Sequence, residues 1–274
     1  MKNIVILLAL TLPMVVFSQR RPKIKGNRTV TSVRQELPVF SKIELRDNLE
    51  VRLKKSRSTG VEIIADDNLV DVLKFEVKDS TLVISSFYDI IAKNKLEITV
   101  DVMELKSILM TDGKLLSDDL IASDNLYLGV YGRSELDIDV IGFSTQIEIE
   151  NNGKVDLNLD IDSLDIIMKH KSDARIYTGS VNTAVTLLDT ASLTLEGSGE
   201  YADLNLSGNS KIKADKMEAA EVNLQITSSG FARVNAFRSF VLNATGSSKT
   251  FLYGNPKITI ETFLDTSQLL KKSD

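Results

Sequence analysis

The sequence predicts an all-β chain: a right-handed parallel β-helix-like solenoid of about 19-residue coils with an N-terminal β-rich cap. Three observations predict it. In the central part of the chain apolar residues recur every 19 residues, and within each repeat apolar and polar residues alternate. Between the two alternating stretches of a repeat stands a residue type that tolerates a positive φ. Each repeat therefore carries two short strands with one buried face each, joined by a tight turn.

Four apolar columns define the repeat, and each column takes one residue from each of five successive repeats. They are Leu128, Ile147, Ile166, Val185 and Leu204; Val130, Ile149, Met168, Leu187 and Leu206; Leu136, Val155, Ala174, Leu193 and Ile212; and Ile138, Leu157, Ile176, Leu195 and Ala214. The column between the last two is polar: Asp137, Asp156, Arg175, Thr194 and Lys213. An antiparallel sandwich or roll would also alternate, but it would not need the same residue class at matching positions in every repeat. Stacked coils are therefore favoured, and roughly eight of them follow Leu105.

The turn between the two strands has its own column: Gly132, Asn151, His170, Asp189 and Gly208. Glycine adopts a positive φ freely, and Asn, Asp and His are the side chains enriched there. Two positions later the residues are all small: Ser134, Gly153, Ser172, Ala191 and Ser210. We predict a corner where coils stack too closely for a larger side chain. The single histidine, His170, is accordingly interpreted as a corner residue and not as a catalytic group.

The N-terminal third is organised differently. Residues 1–18 have a short basic start followed by an apolar run, which predicts a signal peptide cleaved after Ser18 and hence export to the periplasm, the outer cell surface or the medium. Residues 19–36 are rich in Lys and Arg, and we expect a flexible arm. Residues 37–104 contain alternating stretches and a helical turn near Asp67, which together predict a cap and the first strands. Residues 105–274 then form the solenoid repeats, so that 37–274 make one continuous domain.

The amino-acid composition excludes several classes of function. The chain has 274 residues, a formal charge of −5 and no cysteine. Without cysteine, disulfides, thiolate nucleophiles and Cys-ligated metals are excluded. Because the net charge is negative, the chain lacks the excess of basic residues that binds the phosphate backbone of nucleic acid. No segment after the signal peptide is apolar over the length of a membrane-spanning helix.

Several motifs resemble the bacterial family of putative auto-transporter adhesins with a head GIN domain. They are Val39-Phe40-Ser41-Lys42-Ile43, Ala65-Asp66-Asp67-Asn68-Leu69, the run from Val77 to Ile84, the corner Ser207-Gly208-Asn209-Ser210, and Tyr253-Gly254-Asn255-Pro256. The resemblance covers roughly Leu37 to the C-terminus. It implies a β-helical superhelix similar in outline to pectate lyases but without their catalytic residues, and a role in adhesion.

One group of acids could carry chemistry. Stacked outward carboxylates can bind a hard cation, and the candidates are Asp137, Asp139, Asp156, Asp160, Asp162 and Asp165. Because the column continues into Arg175, Thr194 and Lys213, we interpret this face as a solvated surface. The sequence assigns no catalytic, cofactor-binding or metal-binding residue. It predicts a non-enzymatic adhesin or envelope protein that contacts a polysaccharide or protein surface. The alternatives are a polysaccharide lyase or esterase on the same scaffold, and a passive envelope spacer.

Overall fold

Residues 21–272 are described by a computed structural model and fold almost entirely into strands. The predicted signal peptide, residues 1–18, lies outside them. The strands up to the first regular coils are β1 (Lys23–Lys25), β2 (Val30–Glu36), β3 (Lys42–Leu45), β4 (Glu50–Lys55), β5 (Gly60–Asp66), β6 (Leu73–Lys78), β7 (Thr81–Ser86), β8 (Asp89–Ala92), β9 (Leu96–Val102), β10 (Ser107–Met110) and β11 (Lys114–Ser117), with one helical turn, α1 (Asp67–Val70). The rest are β12 (Ile121–Val130), β13 (Glu135–Ile149), β14 (Lys154–Asp160), β15 (Ser163–Met168), β16 (Asp173–Leu187), β17 (Ser192–Leu206), β18 (Lys211–Ile226), β19 (Phe231–Ala244), β20 (Lys249–Tyr253), β21 (Lys257–Phe263) and β22 (Gln268–Lys271).

These strands form a parallel β-solenoid, as the repeat predicts. Each coil contributes to two parallel ladders. The first ladder begins β7–β3–β10–β12 and ends at β21. The second ladder begins β9–β4–β11–β13 and ends at β22. Long strands such as β13 and β16 bend at the far corner, so that they belong to both ladders. The solenoid has about nine turns with a spacing of about 19 residues, and its last turn is formed by β21 and β22.

Residues that lie opposite each other on neighbouring strands are 19 residues apart in the sequence, as the repeat predicts. Leu128 lies opposite Ile147, and Ile147 lies opposite Ile166. In the second ladder Ala174 lies opposite Leu193. All twenty residues of the four apolar columns are buried, with an exposed fraction of 4% or less. The stacked apolar residues thus form one continuous core along the solenoid axis.

The corner residues have the predicted backbone conformation. The φ angles are 67° at Gly132, 65° at Asn151, 58° at His170, 59° at Asp189 and 72° at Gly208. The small residues two positions later are buried at the inside of the corner. At Gly153 the fit is tightest, because a Cβ there would lie 2.7 Å from the carbonyl oxygen of Val130. His170 is exposed, and its backbone N–H donates to the Asp189 carboxylate at 3.2 Å.

At the N-terminal end the coils are not stacked in chain order. The coil formed by β3 and β4 lies between the coil of β7 and β9 and the coil of β10 and β11. Beyond β9 the second ladder continues with β5 and then β2, both antiparallel to their neighbours, and β6 is antiparallel to β7. Side chains of Phe40 and Leu69 are buried against this end of the core. The antiparallel strands and α1 therefore cover the N-terminal end of the solenoid.

Two strands lie within residues 19–36, for which the composition predicts a flexible arm. β1 pairs with β8 in a separate two-stranded sheet, and β2 pairs with β5. The basic side chains find acidic partners: Arg21 pairs with Asp47, and Arg34 pairs with Asp101. The composition of this segment shows its excess of positive charge, but it cannot show that carboxylates from distant parts of the chain lie beside it. These ion pairs attach the segment to the cap.

Candidate functional site

The six aspartates singled out in the sequence are divided between different surfaces. Asp137 lies opposite Asp156 on the outer face of the second ladder. Asp139 accepts a hydrogen bond from Asn158 at 2.6 Å, and Asp156 pairs with Arg175 at 3.8 Å. Asp165 lies in the first ladder, opposite Gln146, and Asp160 and Asp162 lie at the bend between the ladders. Within residues 21–272 no three acidic or histidine side chains converge on a point where a metal ion could sit.

The C-terminal coils of the second ladder carry a different surface, which we call the basic strip. It consists of five cationic side chains around two phenylalanine rings: Lys211, Lys213, Arg233, Lys249 and Lys272, with Phe231 and Phe251. In one column Phe231 lies between Lys211 and Lys249 on the neighbouring strands, and in the next column Arg233 lies between Lys213 and Phe251. The register therefore places Phe231 between two lysines and Phe251 beside Arg233.

The rings and cations of the basic strip are in contact with one another. The centroids of Phe231 and Phe251 are 5.5 Å apart with the rings tilted by 49°. The ammonium groups of Lys249 and Lys272 lie 5.2 Å from the Phe251 centroid, and Arg233 lies 5.8 Å and 6.0 Å from the two centroids. Such contacts hold the cations by attraction to the ring faces. They fix the positions of the positive charges without neutralising them.

No carboxylate among residues 21–272 forms an ion pair with the five cations of the basic strip, and these cations cluster around two aromatic rings. Towards the N-terminal end of the ladder Lys154 pairs with Glu135 at 3.1 Å. Beside the strip Lys216 pairs with Glu196 at 3.3 Å. The Nε atom of Arg233 is buried and has no hydrogen-bond partner in this part of the chain. A groove of about 490 Å³ adjoins the strip, and its lining comprises Lys213 and Arg233 of the strip together with Arg175, Thr194, Glu196, Asp215 and Lys216. The five cations of the strip can bind an anionic ligand without first breaking an ion pair, whereas Lys216 in the groove is already paired with Glu196.

Sequence reasoning did not find the basic strip. The column Asp137, Asp156, Arg175, Thr194, Lys213 shows mixed charge, and it predicts weak cross-strand pairing. Its continuation to Arg233 and Phe251 is hidden because the spacing changes from 19 residues to 20 and then to 18 at these coils. The signal that could have found it is the alternation of Phe and basic residues in Phe231-Ala232-Arg233 and Lys249-Thr250-Phe251.

A second polar cluster lies on the outer face of the first ladder. The hydroxyls of Tyr127 and Tyr131 lie 3.0 Å apart, and both donate to the Glu148 carboxylate, at 3.1 Å and 2.9 Å. Lys169 donates to Glu148 at 3.1 Å and to Glu150 at 2.6 Å. Gly129 makes room for the two rings, since a Cβ there would lie 2.9 Å from the Tyr131 ring. Burial is the main cause that raises the pKa of both tyrosines, so they remain hydrogen-bond donors.

Removing the Glu148 carboxylate should make the fold less sensitive to acid. The hydrogen bond from Lys169 is the largest influence on the pKa of Glu148 and lowers it; the tyrosine hydroxyls lower it further, and burial opposes them. Because the pKa is lowered in the folded state, the carboxylate stabilises the fold above its unfolded-state pKa, and this is lost as pH falls through the folded-state pKa. Between about pH 5 and about pH 3, Glu148→Gln should therefore lose less stability than the wild type, measured by urea unfolding. Glu135→Gln, which removes a carboxylate from an exposed ion pair, should follow the wild type more closely. If Glu148→Gln lost more stability on acidification than the wild type, the Glu148 carboxylate would not stabilise the fold in this way.

The model of one protein family matches most of the chain. The family is described as "Putative auto-transporter adhesin, head GIN domain", and the match covers residues 39–256. None of the curated proteins matches this sequence significantly. Among residues 21–272 no helix is long and apolar enough to cross a membrane.

Three solved structures share the fold at low sequence identity. A putative adhesin from Parabacteroides merdae ATCC 43184 is 15% identical with a TM-score of 0.70, and the alignment covers 92% of this chain and 99% of that one. A putative lipid binding protein from Parabacteroides distasonis ATCC 8503 is 19% identical with a TM-score of 0.67, covering 91% and 99%. A putative adhesin from the same strain is 16% identical with a TM-score of 0.66, covering 92% and 98%. At such identities the likeness shows the fold alone.

Proposed function

Because this chain belongs to the family of putative auto-transporter adhesins with a head GIN domain, we propose that it is an exported, non-enzymatic adhesin that binds an acidic polysaccharide of the cell envelope or its surroundings on the basic strip. The observation that carries the proposal is a set of five cations without a carboxylate partner in residues 21–272, four of which lie over the rings of Phe231 and Phe251 on a sheet face, while Lys213 lies opposite Arg233. The protein would act at the cell envelope, on the cell surface or in the medium.

An acidic polysaccharide fits both components of the strip. Its carboxylate, sulfate or phosphate groups pair with Lys and Arg through charge-assisted hydrogen bonds. Its sugar rings present apolar C–H faces that can pack on phenylalanine. Each contact at an exposed surface is weak, but the charged groups recur along the polymer as the cations recur from coil to coil. Several contacts made at once, on a surface held rigid by the ladder, give useful affinity without a deep pocket.

The basic strip supports recognition better than turnover. A lyase needs a base and a charge-neutralising group held around one sugar, whereas the cations here are spread over neighbouring strands. Asp137 and Asp156, the acids that a lyase reading would use, lie on coils nearer the N-terminal end of the ladder. A groove there is lined by acids of three coils together with Lys114, Lys154 and Arg175, but Glu135 is already paired with Lys154 and Asp156 with Arg175. The basic strip, whose cations are unpaired within residues 21–272, therefore supports binding better than this groove supports turnover.

Neutralising two lysines of the strip should weaken binding to an acidic polysaccharide. We expect the double variant Lys211→Gln/Lys249→Gln of the mature chain to bind polygalacturonate about 10-fold to 100-fold more weakly than the wild type, since each lost contact with a charged group is worth roughly 1 kcal/mol or more. Its affinity should also depend less on salt. Biolayer interferometry on immobilised polymer measures both quantities. Phe251→Leu, which keeps the charges and removes a ring, should weaken binding by a smaller factor.

The ladder offers a matched control for this experiment. Lys114 and Lys154 occupy the same column of the repeat as Lys211 and Lys249, but they lie among the acidic residues of the N-terminal coils. The variant Lys114→Gln/Lys154→Gln makes the same change of net charge and should bind like the wild type. An equal loss of affinity in both double variants would mean that net charge alone, and not the basic strip, determines binding. Preferential binding to phosphatidylglycerol vesicles would favour a lipid ligand instead, and release of unsaturated products from the polymer would favour the enzyme; each of these results overturns the proposal.

A further inference from the structure

The C-terminal end of the solenoid leaves core positions open to solvent. Strand β21 pairs with β19 on one side, and no strand of residues 21–272 pairs with its other edge. Ile258 and Ile260 face inward, opposite Phe240 and Leu242 of the preceding coil. Phe240 and Leu242 are 0% exposed, whereas Ile258 and Ile260 are 42% and 49% exposed. The apolar column therefore ends at a bare coil, and exposed residues such as Leu264 extend the apolar surface.

The apolar core is covered at the opposite end of the molecule. Phe40 and Leu69 are buried in the core, and the antiparallel strands β2, β5 and β6 extend the sheets beyond the parallel ladders. An exposed apolar coil edge with free backbone N–H and C=O groups is a template for pairing with another strand. Because the two ends differ, a head-to-tail chain of molecules would have to place the bare coil on a covered one. Two bare ends placed against each other give a closed dimer with two-fold symmetry.

The sequence of β21 is complementary to itself in one antiparallel register. If the two-fold axis passes through Thr259, Lys257 lies opposite the Glu261 of the second copy, and this pair forms twice. Ile258 then lies opposite Ile260 of the second copy, also twice, on the inner face, so that the apolar column continues across the junction. Glu261 lies on the outer face, where it accepts a hydrogen bond from Asn243 at 2.9 Å, and Lys257 is on that face by alternation. Opposite charges directly across antiparallel strands attract, whereas like charges repel.

We propose that the protein forms a tail-to-tail dimer in which β21 of one copy pairs antiparallel with β21 of a second copy about Thr259. Charges on an edge strand usually discourage pairing, but a cation and an anion placed symmetrically about one residue favour it. Against β19 the register of β21 shifts between Ile260 and Thr262, which makes Glu261 the bulged residue, and the proposed pairing ends there. The dimer brings the C-terminal coils of both copies together, and with them both basic strips. It does not depend on the ligand proposed above, because it concerns the chain alone.

Charge reversal at either position should abolish the dimer, and mixing the two variants should restore it. In Lys257→Glu alone both cross-strand pairs become Glu against Glu, and in Glu261→Lys alone both become Lys against Lys. We expect each variant to be a monomer under conditions where the wild type is a dimer, with dimerisation weakened about 30-fold or more. In an equimolar mixture each pair between the two different variants is again Lys against Glu, so a heterodimer should form. Size-exclusion chromatography with light scattering measures the masses.

Two further proteins keep the experiment decisive. The double variant Lys257→Glu/Glu261→Lys exchanges the charges and should dimerise like the wild type, which also shows that neither substitution prevents folding. Lys171→Glu makes the same change of net charge at an exposed corner in the middle of the solenoid and should leave the dimer intact. A monomeric wild type at all concentrations, single variants that still dimerise, a mixture that stays monomeric, or open-ended higher oligomers would each overturn the proposal.

Discussion

Leu193→Asp should unfold the central coils, with a loss of at least about 4 kcal/mol of stability. Leu193 is fully buried between Ala174 and Ile212, the residues opposite it on the two neighbouring strands. The substitution removes apolar volume from the column, and it also places a carboxylate where no cation or hydrogen-bond donor can reach it. For a chain of this length the loss corresponds to a fall in Tm of roughly 10 °C or more. Thermal unfolding followed by circular dichroism measures it.

The adjacent residue supplies the control. Thr194 points outward from the same strand and lies opposite Arg175 on one side and Lys213 on the other. Thr194→Asp therefore places the same carboxylate between two cations at a solvated position. We expect a change in stability within about 0.5 kcal/mol, which is typical of surface substitutions. Similar losses in the two variants would mean that the alternation of inner and outer faces in this coil has been misassigned.

The contrast between Leu193 and Thr194 shows why the solenoid could be predicted from the sequence. In a stack of parallel coils the period of the repeat and the register of the ladder are the same number. A column of apolar residues in the sequence is therefore a column of contacts in the structure. The corner follows for a similar reason, because a positive φ is tolerated by few residue types, and His170 is one of them. Where successive coils have the same number of residues, their stacking can therefore be predicted from the sequence.

The cap and the basic strip could not be predicted in this way. The coil of β3 and β4 lies between two coils that follow it in the chain, and no spacing between residues encodes that order. At Phe231 the coil lengthens by one residue and at Lys249 the next coil shortens, so matching columns no longer align in the sequence. The surface that we propose to bind the ligand begins where the constant period ends. A change of coil length alters the outer face while the inner column of Ile212, Ala232 and Thr250 remains buried.

Gly197→Ala should cost about 3 kcal/mol or more, although it adds a single methyl group. Gly197 has a φ of 118°, a conformation that is strained for any residue with a Cβ. The added carbon would also lie 2.0 Å from the carbonyl oxygen of Thr178, which is backbone of the neighbouring strand and cannot rotate away. Thr178 lies directly opposite in the ladder and is itself buried. Relief of the clash would therefore require the two coils to separate at the bend.

Gly179→Ala is the matched comparison, since Gly179 follows Thr178 on the adjacent coil and has no atom within 4 Å of the position of an added Cβ. Alanine there limits the freedom of the unfolded chain without straining the folded one, so we expect a gain of about 0.5–1 kcal/mol. Urea unfolding of the two variants should move the midpoint in opposite directions. If both variants lower the urea midpoint, the bend tolerates no side chain at all. If neither variant lowers the midpoint, the two coils are not packed against each other at the bend. Opposite signs would show that the backbone conformation of each position and its distance from the neighbouring coil together decide which side chains this bend of the solenoid accepts.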